Sequence, residues 1–205
     1  MADSFGAVVI LCLNGYCKDA VVIARSMFEY AVNARYLRQA TQAELNDYID
    51  FHWVRKKKLY DYFTKYSPEV AATIPASTVQ EMTSELAKVE QRFSRKNSTR
   101  LRDSWSEKSI RERAEAVKMG GFYPTFYASA SGLAHGDISG LGARSARDTL
   151  RIVQAPSVSG MRTALIMAHN ALLTTLAVLN DSAKRGFDDE LLKAKDDFVR
   201  IWGKR

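Results

Sequence analysis

The chain has 205 residues, of which 46% are hydrophobic and 26% charged, with a formal net charge of +7. That length and balance suit one folded domain and exclude disordered, collagen-like and disulfide-scaffold classes. The basic excess favours polyanionic partners such as RNA or a nucleotide, but it bears on solubility and attraction rather than on fold.

A first helix is predicted over residues 4–14, stopping near Gly15 or bending there. Its apolar run carries Asp3 where a secretory signal would carry Lys or Arg, so it reads as a core helix. Cys12 and Cys17 stand five apart and match no zinc or redox spacing, which points to reduced thiols and a cytoplasmic location. A second helix follows over 17–39. It is apolar almost all round at 20–32, the pattern of a helix at the centre of a bundle, with Arg25 and Glu29 interrupting AVVIARSMFEYAV.

Thr41 and Glu44 form a capping-box pattern that opens a third helix to about 65, carrying Arg55 to Lys58 beside Trp53, Tyr60, Tyr62 and Phe63. Ser67-Pro68 and Pro75 punctuate the connection to a helix over 78–96, whose cap is predicted at Thr78 with Glu81. After a loop at 96–105, Ser104 with Glu107 is predicted to open a helix that stops at Gly120-Gly121. Pro124 fits the first turn of the next helix, and Gly136, Gly140 and Gly142 mark its exit. Residues 145–153 read as a short helix or an extended piece. A long apolar helix is predicted at 160–182, and an amphipathic helix within 183–205 closes the chain. Thr163 to Asn180 carries no Lys, Arg, Asp or Glu, but its polar interruptions favour a buried helix over a membrane span. The fold expected is all-α: one bundle of six to eight helices over residues 1–205.

Tyr123, Tyr127, Ser131 and His135 recur at four-residue intervals in FYPTFYASASGLAHGD. On a helix each such step rotates by about 40°, so they form one slowly drifting polar stripe in an otherwise greasy segment. Buried hydroxyls and an imidazole need partners, and Arg25 with Glu29 is the candidate pair.

These residues carry a resemblance. GYCKDAVVIARSMFEYAVNARYL, a helical spacer, and SWSEKSIRERAEAVKMGGFYPTFYASASGLAHGDISG resemble the bacterial domain-of-unknown-function family 5677. That family pairs an early R-x-x-x-E helix with a later Trp and a Y-x-x-x-Y-x-x-x-S-x-x-x-H helix followed by a small residue. The match falls on Arg25, Glu29, Trp105, Tyr123, Tyr127, Ser131, His135 and Gly136, and the likeness spans roughly residues 7 to 180. It implies a prokaryotic helical domain with no established activity. Members often carry a longer N-terminal lead-in, so an upstream helix is the element this chain is expected to lack.

Two functional readings stand side by side. In the first, the domain is an effector acting on RNA or a nucleotide without metal or cofactor. Arg25, Glu29 and His135 are then the catalytic set: His135 as general acid or base, Arg25 stabilising a pentavalent phosphate, and Glu29 orienting one of them. Tyr123, Tyr127, Ser131 and Trp105 would contact the ligand. In the second, the cluster is a structural polar network inside a non-enzymatic interaction module that meets a protein partner or a second copy.

A further pair, Arg162 and His169, has a spacing within the R-x4-6-H range of the HEPN helical ribonucleases, but an arginine-rich chain meets it readily by chance, and Thr163 follows the Arg where that pattern favours Asn, Asp or His. Between Lys88 and Lys118 ten Lys/Arg face five Asp/Glu, either a phosphate track or a solvated pair of salt-bridged helices. Glu44, Asp47, Asp50 and His52 share a helix but lack a ligand set around them, so no metal site is expected.

Overall fold

The structure, a computed structural model, describes residues 1–95, 100–134, 143–146, 149–152, 158 and 160–203. The fold is all-α. In chain order the described helices are α1 (Ala2–Leu13), α2 (Cys17–Leu37), α3 (Gln42–Tyr66), the one-turn α4 (Pro68–Ala71), α5 (Ala76–Phe93) and α6 (Ile110–Ala116). A π-helical turn at Tyr123–Tyr127 then leads into α7 (Ala128–Ala134), and α8 (Met161–Ala183) and α9 (Asp188–Trp202) complete the chain. Two short antiparallel strands, β1 (Ala143–Ala146) and β2 (Thr149–Ile152), pair with Ala143 opposite Ile152, so the described residues here, 145–146 and 149–152, take the extended alternative.

The chain packs as two compact units, one formed by Met1–Gln39 with Lys108–Arg205 and the other by Ala40–Glu107. In the first, α2 is the central element and packs on α8, α1, α6 and α7. Its 21 residues contain neither Gly nor Pro, so nothing interrupts the helix. Where α2 meets α8, both helices bury small side chains. Ala20, Ala24 and Ala31 on one and Ala164, Ala168 and Ala171 on the other are buried and small enough to let backbones approach, and Met27 and Met167 are buried alongside them. The α1–α2 turn is a Schellman stop. Gly15 adopts φ +79, its N–H reaches the Cys12 carbonyl at 3.2 Å, and the Tyr16 N–H reaches the Leu11 carbonyl at 2.8 Å.

The buried Asn180 anchors α9: its side-chain oxygen accepts the Phe187 N–H at 2.8 Å and its amide donates to Asp188 at 2.9 Å. Among the described helices α8 alone is long and apolar enough to cross a membrane. Here it packs against α1, α2 and α9.

In the second unit α3 packs on α4 and α5. Met82, Leu86, Val89 and Phe93 fall on one stripe of α5, and Phe93 meets Phe51 of α3 edge-on at 5.4 Å. Arg92 clasps both Asp47 and Asp50 of α3.

The capping box at Thr41 and Glu44 forms as the sequence indicates. Two other starts move. The α5 helix begins at Ala76 because Pro75, at φ −57, presets the chain before Thr78 is reached. The α6 helix is opened by a second S-x-x-E pattern, where Ser109 accepts the Glu112 N–H at 3.2 Å and Glu112 accepts the Ser109 N–H at 2.7 Å. It stops at Lys118, in the left-handed region at φ +60, with the Met119 N–H closing on Ala114, rather than at Gly120-Gly121.

Candidate functional site

The polar residues of α2 and of the π-helical turn meet. Arg25 and Glu29 lie one turn apart on α2, with Nη2 and Oε1 3.0 Å apart. The Tyr127 hydroxyl completes the triad, accepting from Arg25 Nη2 at 2.8 Å and donating to Glu29 Oε1 at 2.7 Å. The Arg25 guanidinium also lies over the Tyr127 ring, 4.7 Å from its centre. Tyr123 stacks on the other tyrosine at 4.9 Å and 24°, and Phe28 packs against it at 5.7 Å.

The exposure is graded. Tyr127 is 6% exposed, the Arg25 side chain 17% and that of Glu29 36%, so the carboxylate forms the rim and the phenol the floor. Burial, then the neighbouring Glu29 carboxylate, pushes the Tyr127 hydroxyl up to about 12. It is therefore neutral and a hydrogen-bond donor at physiological pH.

The first step of the tyrosine ladder is π-helical rather than α-helical. The Ala128 N–H reaches back five residues to the Tyr123 carbonyl. The wider turn still leaves the two rings on one side, which is why they stack. Ser131, on α7, is half-buried one turn further on. His135 and Gly136 lie outside the described residues.

A second cationic group, absent from the sequence reading, belongs to the same surroundings. Arg113 on α6 is 6% exposed and donates Nη1 to the Lys108 carbonyl at 2.7 Å. Burial lowers its proton affinity, while the nearby Glu29, Tyr36, Tyr127 and Glu112 raise it. Lys108 in turn donates to the Tyr36 hydroxyl at 2.7 Å and lies 5.0 Å from the centre of that ring. The sequence does carry a signal for Arg113. Ile110, Arg113, Ala114 and Val117 follow the i, i+3, i+4, i+7 spacing of one helix face, and a charge inside an apolar face is a charge to be buried.

Trp105 belongs to the other unit, where it is buried and meets Tyr48 edge-on at 5.2 Å. Arg162 and His169 are not turned toward each other's chemistry: both hold α9. Arg162 donates to the Trp202 carbonyl at 2.9 Å, and the Trp202 indole donates to His169 Nδ1 at 3.2 Å. Phe5 and Phe198 flank the imidazole at 5.9 and 5.1 Å, and burial lowers its proton affinity. Among the described residues no group of three His, Cys, Asp or Glu stands ready to hold a metal ion.

The model of the "Family of unknown function (DUF5677)" matches residues 1–149. The chain belongs to this family. The matched stretch includes Arg25, Glu29, Arg113, Tyr123, Tyr127, Ser131 and His135, whereas Arg162, His169 and the α9 helix they hold lie beyond it. The family's description assigns no activity to the triad. No curated protein and no solved structure matches the chain.

Proposed function

We propose that this domain is a non-enzymatic helical interaction module, and that the Arg25–Tyr127–Glu29 triad is the polar clasp of its packing. The observation that carries this reading is the double engagement of the Tyr127 hydroxyl. It accepts from Arg25 and donates to Glu29 while nearly out of contact with water. The Arg25 guanidinium and the half-buried Glu29 carboxylate need polar partners on their inward sides, and this phenol supplies one hydrogen bond to each.

The basic stretch supports the same view. Lys88, Arg92, Arg95, Arg102 and Arg111 each hold an acidic partner instead of standing ready for phosphates. Apolar side chains at the surface give a protein partner or a second copy somewhere to seat. Ile10 and Leu13, on one face of α1, are 62% and 79% exposed, and Leu192 and Val199, on one face of α9, are 60% and 64% exposed. The buried free thiols Cys12 and Cys17 support a reducing, cytoplasmic setting.

A second reading, an effector that cleaves RNA or a nucleotide, is favoured by one observation. The triad sits at a π-helical turn, a rare feature that often marks functional sites, and its Glu29 rim reaches solvent. In that reading Arg25, Glu29 and His135 take the roles of phosphate stabiliser, orienting carboxylate and general acid or base.

One experiment decides between them. The parent, Arg25→Ala and His135→Ala are compared for thermal stability, RNA cleavage and nucleotide hydrolysis. The module reading expects an inert parent and an Arg25→Ala variant whose melting temperature falls by several degrees. Variants that melt like the parent and lose an activity the parent has would replace it with the effector reading.

A further inference from the structure

We propose that a cavity between α2, α8 and α9 binds a nucleoside monophosphate, a flat ring joined to a phosphate. The cavity holds about 380 Å³, within the ~300–1,000 Å³ of ordinary small-ligand sites.

Its floor is apolar, lined by Leu173, Ala177 and Val178 from α8 and Phe198 from α9, with the exposed Val199 at its edge. Phe198 is set by its edge contact with His169 at 5.1 Å, so a rigid ring lines the floor. Asn170 and Thr174, one turn apart on α8, form a polar wall, and neither side chain has a hydrogen-bond partner among the described residues. An amide offers both donors and an acceptor, which suits the edge of a base, and a hydroxyl suits a ribose.

The mouth is cationic. Arg35 and Arg38 come from the end of α2, and Lys195 from α9. Arg38 is paired with Asp181, the one acid in the lining. Arg35 and Lys195 have no acidic partner among the described residues. Two uncompensated cations beside an apolar floor and an amide wall call for a ligand with a doubly charged end, a polar edge and a flat apolar body. A nucleoside monophosphate has all three.

The site lies ten residues along α2 from Arg25, about 15 Å at the helical rise. It does not depend on the role assigned to the triad, and its failure would leave that role untouched.

The test is calorimetric titration of the full chain with the four common ribonucleoside monophosphates, their nucleosides, inorganic phosphate and a short single-stranded RNA. The proposal expects at least one monophosphate to bind, with its nucleoside and inorganic phosphate each at least about tenfold weaker. Arg35→Gln and Lys195→Gln should each weaken binding by roughly fivefold or more without shifting the melting temperature, since both side chains are exposed. Four results would overturn it: no monophosphate bound at millimolar concentration, inorganic phosphate bound as tightly, glutamine variants that bind like the parent, or RNA bound at least about tenfold tighter than every monophosphate.

Discussion

Replacing Tyr127 by Phe removes one oxygen and leaves the ring in place against Arg25, Tyr123 and Phe28. That oxygen takes the Arg25 N–H at 2.8 Å and gives its own hydrogen to Glu29 at 2.7 Å. Hydrogen bonds to charged groups contribute roughly 1.5–3 kcal/mol each, so two lost bonds set an upper limit near ~6 kcal/mol. The real loss is smaller. Arg25 and Glu29 touch directly at 3.0 Å, and the Glu29 side chain is 36% exposed, so neither charge is stranded when the hydroxyl goes. One such bond, about 2 kcal/mol, is the expected cost. For a chain of this length that lowers the melting temperature by roughly 4–8 °C. Urea unfolding of parent and variant, followed by far-ultraviolet circular dichroism, should show a lower midpoint with an unchanged slope. A Tyr127→Phe variant that melts within about 1 °C of the parent would refute the claim that this hydroxyl ties α2 to the π-helical turn.

His169 accepts the Trp202 indole N–H at Nδ1, and burial lowers its proton affinity, so only the unfolded chain protonates it near the ordinary value of about 6.5. Its stabilisation is therefore complete above that pH and lost as pH falls toward the depressed folded value; melting temperatures from pH 7.5 to 5 should decline, and less so in His169→Gln. Ser109→Ala removes the acceptor that opens α6 and should cost about 1 kcal/mol, while Ser109→Gly should cost only a few tenths. Gly160 precedes α8 at φ +86, and a Cβ there would stand 3.4 Å from Val21, so Gly160→Ala should destabilise by roughly 1–2 kcal/mol. Gly6 lies inside α1 with open space around it, and Gly6→Ala should stabilise by about 0.5–1 kcal/mol; urea midpoints measure all of these.

The parts of this molecule legible in the sequence are those where one residue has no choice. Arg25 and Glu29 sit inside an apolar run, and Tyr127 sits inside another, so each needed a buried polar partner and they found one another. Thr41 with Glu44 and the Gly15 stop were legible because each satisfies backbone groups within four residues of itself. Other features depend on competition that a pattern does not rank. Ser104 and Ser109 both head an S-x-x-E run, and the helix begins at the one followed by the Ile110–Arg113–Ala114–Val117 face. The π register of Tyr123–Tyr127 was hidden, because over five residues a period of 3.6 and a wider turn place the same side chains on nearly the same side. The burial of Arg113 is masked in the sequence because RERAEAVK also reads as a run of exposed ion pairs. Arg111 does pair with Glu115 in that way, whereas Arg113 turns inward.

The most direct test of the clasp is a double-mutant cycle on Arg25→Met and Tyr127→Phe, with stability read from urea unfolding of the parent, both single variants and the pair. Met keeps the aliphatic stem in place and removes the guanidinium. A coupling of about 1–2 kcal/mol between the two sites, in a parent with no activity on RNA, is the predicted result. Single effects that add to within about 0.3 kcal/mol would contradict it, because residues that hold each other in place cannot be independent.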